Sequence, residues 1–361
     1  MLAVGGDPLS HENSTFMDSA LPGMDGYDSV MFVGTNVTWR REALDSIGGL
    51  QYGTVSEDFW TGHHAHWLGW KSAHLRKDTY GDINERFRLA QGTVPPNVAA
   101  SLAQRKRWHK GGVELLLGVD NPRDAQWQLP PHRLPPASAA PPHVKRYRRL
   151  HWFFSLTAWI SSTLPPIFYT VIVIITSWTD TIWVYLNPLP TLCILLPRLF
   201  LGSFVSTIAD AASVDTKRIL AGLPEFFTYA PVRLVGTLEA FYSKITGRPA
   251  KWGNTGGIGS GSIDELPNVV FVVMLIVSLG RSLVHFLLDD TIYIYAVLPI
   301  WAFGINLLTM YYPFVRVSVQ EWAGWSYVSI DGRLGFQWLM PVLVIGFVVA
   351  MQARDEGWHL W

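Results

Sequence analysis

Two regimes of hydrophobic patterning divide the chain. Up to about residue 120, apolar residues come in short runs between polar ones; from Leu150 onward they come in long blocks. In the first part, VMFVGTN (30–36) is a β-rich apolar run ending in Gly-Thr-Asn, which predicts a strand running into a turn. WRREALDSIGGL (39–50) sets Ala43, Leu44 and Ile47 at helical spacing, with Gly48-Gly49 as a stop. Residues 57–69 predict a second helix carrying Phe59, Trp60, His63, His64 and Trp67, and GWKSAHL (69–75) a strand entry. This alternation predicts an α/β domain over residues 1–120.

A proline-rich segment follows, DNPRDAQWQLPPHRLPPASAAPPH, so that 121–149 reads as an extended linker with a basic end, KRYRR (145–149). Residues 150–361 then predict an α-helical membrane bundle of about five spans: 151–178, 182–208, 267–288, 291–314 and 335–352. Pro165-Pro166 is expected to kink the first. Residues 216–246 mix charge with Leu, Phe, Tyr and Val, the pattern of a helix lying at the membrane surface. A glycine-rich loop, 247–262, connects it to the next span. Basic residues flank alternate ends of the spans, so the positive-inside rule places residues 1–149 in the cytosol.

Composition agrees with this division. The 361 residues are 49% hydrophobic and 16% charged, against about 25% charged in soluble domains. Twenty-eight basic and twenty-eight acidic residues cancel, which gives no footprint for nucleic acid. One cysteine, Cys193, excludes an intramolecular disulfide framework.

Three stretches carry candidate chemistry. In VSEDFWTGHHAHWLGW (55–70), Glu57 and Asp58 stand together at a predicted helix start. Ser56 as N-cap with acids in the first turn explains the trio as a helix signal, and a carboxylate held there also suits a general base. His63, His64 and His66 lack the i,i+4 spacing of helical zinc ligands. In QRKRWHKGG (104–112), Gln104, Arg107 and Trp108 share a helical face, offering a planar fork for phosphate beside a flat ring for a sugar. Arg105, Lys106, Arg107 and Lys110 also read as a basic patch for anionic lipid headgroups. In KITGRPAKWGNTGG (244–257), Trp252 and Thr255 are the distinctive side chains of a loop that reads equally as connector or lid.

Together these elements resemble the C-terminal part of a processive family-2 glycosyltransferase of the cellulose synthase kind. FVGTN (32–36), SED (56–58), GWKSAHL (69–75), QRKRW (104–108) and KWGNTGG (251–257) appear in the family's order. The resemblance implies a GT-A-like domain, here partial, ahead of the membrane bundle. It implies Asp58 as general base with Glu57 beside it, and Gln104 and Arg107 on the diphosphate of a UDP-sugar. Trp108 would stack the growing polysaccharide, Gly34 and Thr35 would line the acceptor pocket, and Trp252 and Thr255 would belong to a gating loop. Gly257 stands where the family usually has a lysine.

The family's metal, Mg2+ or Mn2+, is expected by the same resemblance, but no DxD motif occurs among Asp7, Asp18, Asp25 and Asp28. Its ligands and the donor-binding strands are therefore expected to lie outside this sequence, leaving the chain alone inactive. The sequence-level reading is a multi-pass plasma-membrane hexosyltransferase acting on UDP-sugar and a growing polysaccharide, among membrane lipids and within an oligomeric synthase complex. The alternative is a catalytically inactive channel and acceptor-binding paralogue that partners a full synthase.

Overall fold

The computed structural model describes residues 16, 20–34, 36–51, 55–74, 95–117, 146–179, 216–247, 263–288 and 294–324. Thr35, Trp252, Thr255, the spans expected at 182–208 and 335–352, and nearly all of the 121–149 linker lie outside the described residues. The helices among the described residues are α1 (Leu21–Asp25), α2 (Arg41–Ser46), α3 (Glu57–Trp67), α4 (Val98–Leu117), α5 (Arg146–Ser161), α6 (Leu164–Thr179), α7 (Thr216–Thr246), α8 (Leu266–Leu288) and α9 (Ile294–Trp322). The chain divides into two units, one chiefly Phe16–Leu164 with Val232–Asp264, the other chiefly Pro165–Pro231 with Glu265–Trp361.

In the first unit the expected helices form where their stop signals place them. The Gly49 N–H returns to the Leu44 carbonyl after α2, and the Trp70 N–H to Ala65 after α3. Asn97, following Pro95-Pro96, opens α4 by accepting the Ala100 N–H on its side-chain oxygen at 2.8 Å. The expected strands differ: no strand occurs among the described residues. Val30 and Met31 are buried, but the run meets 69–74 through one backbone bond, Ser72 N–H to Asp28 O, and through the Ser72 hydroxyl on Val30 O. Such isolated bonds do not make a ladder, so the β-rich composition fixes burial here without fixing pairing.

Arg148, in the basic end of the linker, is drawn inward. Arg148, 4% exposed, donates to the Trp70 carbonyl at 3.3 Å and lies 3.8 Å from the Asp28 carboxylate, which Lys71 approaches at 2.8 Å. α5 then turns an apolar stripe, Trp152, Leu156 and Trp159, towards the unit's core, where Phe59 meets both indoles.

The first long apolar stretch is two helices. α5 ends at Ser161 and α6 begins at Leu164, because Pro165 and Pro166 cannot donate backbone bonds into a continuing helix. Leu150–Thr179 (mean hydropathy 1.7) and Leu266–His285 (1.9) are long and apolar enough to cross a membrane. The fourth expected span forms α9, which runs on through Arg316, Gln320 and Glu321 and does not meet that measure among the described residues.

The second unit exposes many apolar side chains and buries several polar ones among its apolar core. Phe168, Val273, Ile276, Val277 and Leu287 are exposed, whereas Thr170, Thr228, Asn268 and Ser278 are fully buried. The Asn268 amide donates to Thr228 O at 2.5 Å, and the Thr228 hydroxyl to Met310 O at 3.2 Å. Trp178 donates its indole N–H to Ser278 Oγ at 3.0 Å, and Arg281 donates to the Ser177 carbonyl.

Candidate functional site

The site is assembled where the start of α3 meets α4. Ser56 opens α3 but makes no capping bond with its hydroxyl; the expected cap is corrected. The hydroxyl instead lies against Gly111 of α4, where a Cβ would collide with it. Asp58 takes over the local donor: its Oδ1 accepts the Phe59 N–H at 2.7 Å. Its Oδ2 faces Gly34, where a Cβ would stand 2.9 Å away. Gly34 has φ +87°, a backbone that favours glycine. Two glycines on separate segments thus let backbone close in around the acid pair.

Arg107 lies one turn before Gly111 on α4, so the Gly111–Ser56 approach brings its guanidinium into electrostatic reach of the acids. The Asp58 carboxyl is pushed up to about 6, chiefly by burial, with Glu57 adding to the rise and Arg107 opposing it. Arg107 is itself lowered by burial, against the pull of Glu57 and Asp58. An acid that ionises near neutrality, beside a cation that is always charged, can accept a proton and hold an anion in one place.

Gln104 is buried at 8% exposure. The Arg105 guanidinium lies over the Trp108 ring, 4.8 Å from its centroid. The structure brings together Gly34, Glu57, Asp58 and Arg107. Gln104 and Trp108 follow on the same helix.

The basic patch of α4 does not face headgroups. Lys106 pairs with the buried Asp264 at 2.5 Å and Lys110 with Glu239 of α7 at 3.2 Å. Arg105 is 7% exposed. The lipid reading of this patch is corrected, because its charges are turned onto α7 and the residues before α8.

The three histidines of α3 are core residues. His63 meets Trp152 edge-on at 4.3 Å, and burial lowers it to about 3. His66 lies 2.8 Å from Ser72 Oγ; since that hydroxyl donates to Val30 O, Nε2 of His66 carries the proton. Among the described residues, no group of three or more His, Cys, Asp or Glu is placed to hold a metal. Asp58 and Glu57 have Arg107 as their counter-charge, so this donor set does not fit a divalent ion.

Sequence reasoning missed α5. It reads as the head of a span, yet Trp152 and Trp159 brace the Asp58 helix through Phe59, and Trp159 packs where a Cβ on Gly112 would fall. The signal was present: two tryptophans seven residues apart on one helical face.

Residues 10–201 match the family described as "Glycosyl transferase family group 2". The chain is 37% identical over 109 residues to a UDP-forming cellulose synthase catalytic protein of Dictyostelium discoideum, covering 30% of this chain and 9% of the relative. It is 32% identical over 111 residues to the corresponding UDP-forming cellulose synthase catalytic protein of Komagataeibacter sucrofermentans, covering 31% and 13%. The chain thus spans about a tenth of the length of the curated relatives it matches. The family match holds the acid pair, Gln104, Arg107, Trp108 and both halves of the first apolar stretch, and covers more than half of the sequence. The chain belongs to glycosyl transferase family group 2.

Proposed function

We propose that this chain supplies the acceptor-activating and diphosphate-holding part of a membrane-embedded, cellulose synthase-like transferase that adds a sugar from a UDP-sugar to a growing polysaccharide. The observation that carries the reading is the electrostatic pairing of Asp58, at about 6, with Arg107. Asp58 takes the proton of the acceptor hydroxyl, whose oxygen attacks the anomeric carbon of the donor as the bond to the diphosphate breaks. Arg107, with Gln104, holds the departing UDP and its charge. Glu57 keeps the Asp58 carboxyl from ionising too readily, and the Trp108 ring stacks the acceptor sugar. The family resemblance assigns Gly34 and Thr35 to the acceptor pocket and Trp252 and Thr255 to a gating loop.

The exposed apolar side chains of the helical unit, with polar ones such as Thr170, Thr228, Asn268 and Ser278 buried within it, support a multi-pass membrane protein with residues 1–149 cytosolic, α7 at the interface and the product crossing the bundle. The test is incorporation of labelled sugar from UDP-glucose in membranes carrying the chain together with a donor-binding segment from a relative. Asp58→Asn abolishes incorporation while UDP binding persists; Arg107→Ala loses both. Incorporation unaffected by Asp58→Asn contradicts the reading.

A further inference from the structure

His109 follows Trp108 on α4 and is 1% exposed. Its Nε2 lies 2.9 Å from Thr237 Oγ1 of α7 and 3.3 Å from Thr163 Oγ1, in the turn between α5 and α6. Both hydroxyls already donate to helix carbonyls, Thr237 to Arg233 O at 3.0 Å and Thr163 to Trp159 O at 3.2 Å. Each therefore has only lone pairs to offer, and Nε2–H of His109 donates to both. One short ring thus ties α4 at once to α7 and to the turn that heads the apolar α6. Trp159 closes the pocket edge-on at 5.7 Å.

We propose that His109 is a positioning residue: its shared hydrogen bond fixes the roll of α4 about its own axis, and with it the aim of Gln104, Arg107 and Trp108 towards Asp58. This rests on the reading of Arg107 as the diphosphate holder and deepens it by naming what holds Arg107 in place.

Geometry makes roll the sensitive coordinate. Successive residues sit about 100° apart around the helix, so His109 points away from the site while Arg107 points into it. A roll of about 10° displaces an atom about 6 Å from the axis by about 1 Å, a misplacement that can cost about a hundredfold in rate. Lys106 and Lys110 also reach Glu239 of α7, but their long flexible stems tolerate such a roll. The imidazole does not. Gly236 lets α7 approach this closely, since a Cβ there would stand 2.9 Å from the Lys106 carbonyl. The ring is held neutral, lowered to about 3 by burial with Arg233 adding to the effect, so the donor pattern persists across the working pH range.

The experiment compares His109→Leu, His109→Gln and His109→Asn in the full chain, together with the donor-binding segment of a relative, in lipid nanodiscs. Two readouts are taken. One is UDP affinity. The other is the pH midpoint of carbodiimide labelling at Asp58, read by peptide mass spectrometry, which reports whether Arg107 still acts on that carboxyl. For His109→Leu the expectation is an affinity about tenfold weaker, the factor that 1.4 kcal/mol gives, and an upward shift of the Asp58 midpoint. Gln places an amide nitrogen near Nε2 and restores both; Asn places it near Nδ1 and restores neither. Where the leucine variant does not fold, the Gln–Asn pair alone decides. Variants that keep the wild-type midpoint, or Gln and Asn behaving alike, overturn the proposal. A shifted midpoint in a protein that binds no UDP even as wild type upholds the positioning role and removes the transferase reading instead.

Discussion

A Cβ on Gly34 would stand 2.9 Å from Oδ2 of Asp58, at a backbone φ of +87°. The acid is thus held against bare main chain on a side that no other residue type can occupy without strain. Gly34→Ala should cost about 1–3 kcal/mol, the range for a non-glycine residue forced into such a conformation. It should also displace the carboxyl. Thermal unfolding gives the first effect, and the labelling midpoint of Asp58 the second.

The ionisation of Asp58 makes both stability and transfer depend on pH. Its folded value of about 6 lies above the ordinary 3.8. Folding therefore favours the protonated form, and the stability this group lends at acid pH is lost as pH rises from about 4 through about 6. Asp58→Asn should stabilise the protein by about 1–2 kcal/mol at pH 8, after allowance for solvent screening, and by nothing near pH 3. Denaturant unfolding at the two pH values checks this. Transfer has the opposite dependence, because the base must be ionised: its rate should rise through an acid limb centred near 6.

The approach of Ser56 to Gly111 brings the acids to Arg107. Gly111→Ala should destabilise by about 1–3 kcal/mol through overpacking. Ser56→Gly should recover part of that loss when the two are combined, since they share one contact. A double-mutant cycle with no coupling would show that α3 and α4 meet elsewhere.

Asp264 is 3% exposed and pairs with Lys106 at 2.5 Å. Removing one partner of a buried pair is costly, so Lys106→Met should lose about 3 kcal/mol. Lys106→Met combined with Asp264→Leu should recover most of it. Chemical unfolding of the three variants decides.

Much of the site is legible in the sequence because it depends on local rules. Ser56-Glu57-Asp58 announces a helix start, and Gln104, Arg107 and Trp108 fall on one turn of a helix whose opening Asn97 marks. What pattern could not supply was the partner of each charged residue. Lys106 and Lys110 look like a lipid-facing patch until α7 brings Glu239 alongside and the residues before α8 bring Asp264. Arg148 looks like a cytosolic anchor until Trp70 and Asp28 take its donors. The β-rich run at 30–36 was misread for a related reason: strand propensity records a buried, pleated surface, and pairing depends on neighbours far along the chain. The double role of α5, span head and brace for Asp58, was written in Trp152 and Trp159 but hidden by the hydrophobicity around them.

The central claim is that Asp58 and Arg107 serve one ligand. UDP added to the full chain in nanodiscs, together with the donor-binding segment of a relative, should slow carbodiimide labelling of Asp58, and Arg107→Ala should abolish that protection. Equal labelling rates with and without UDP in the wild-type protein would contradict the claim.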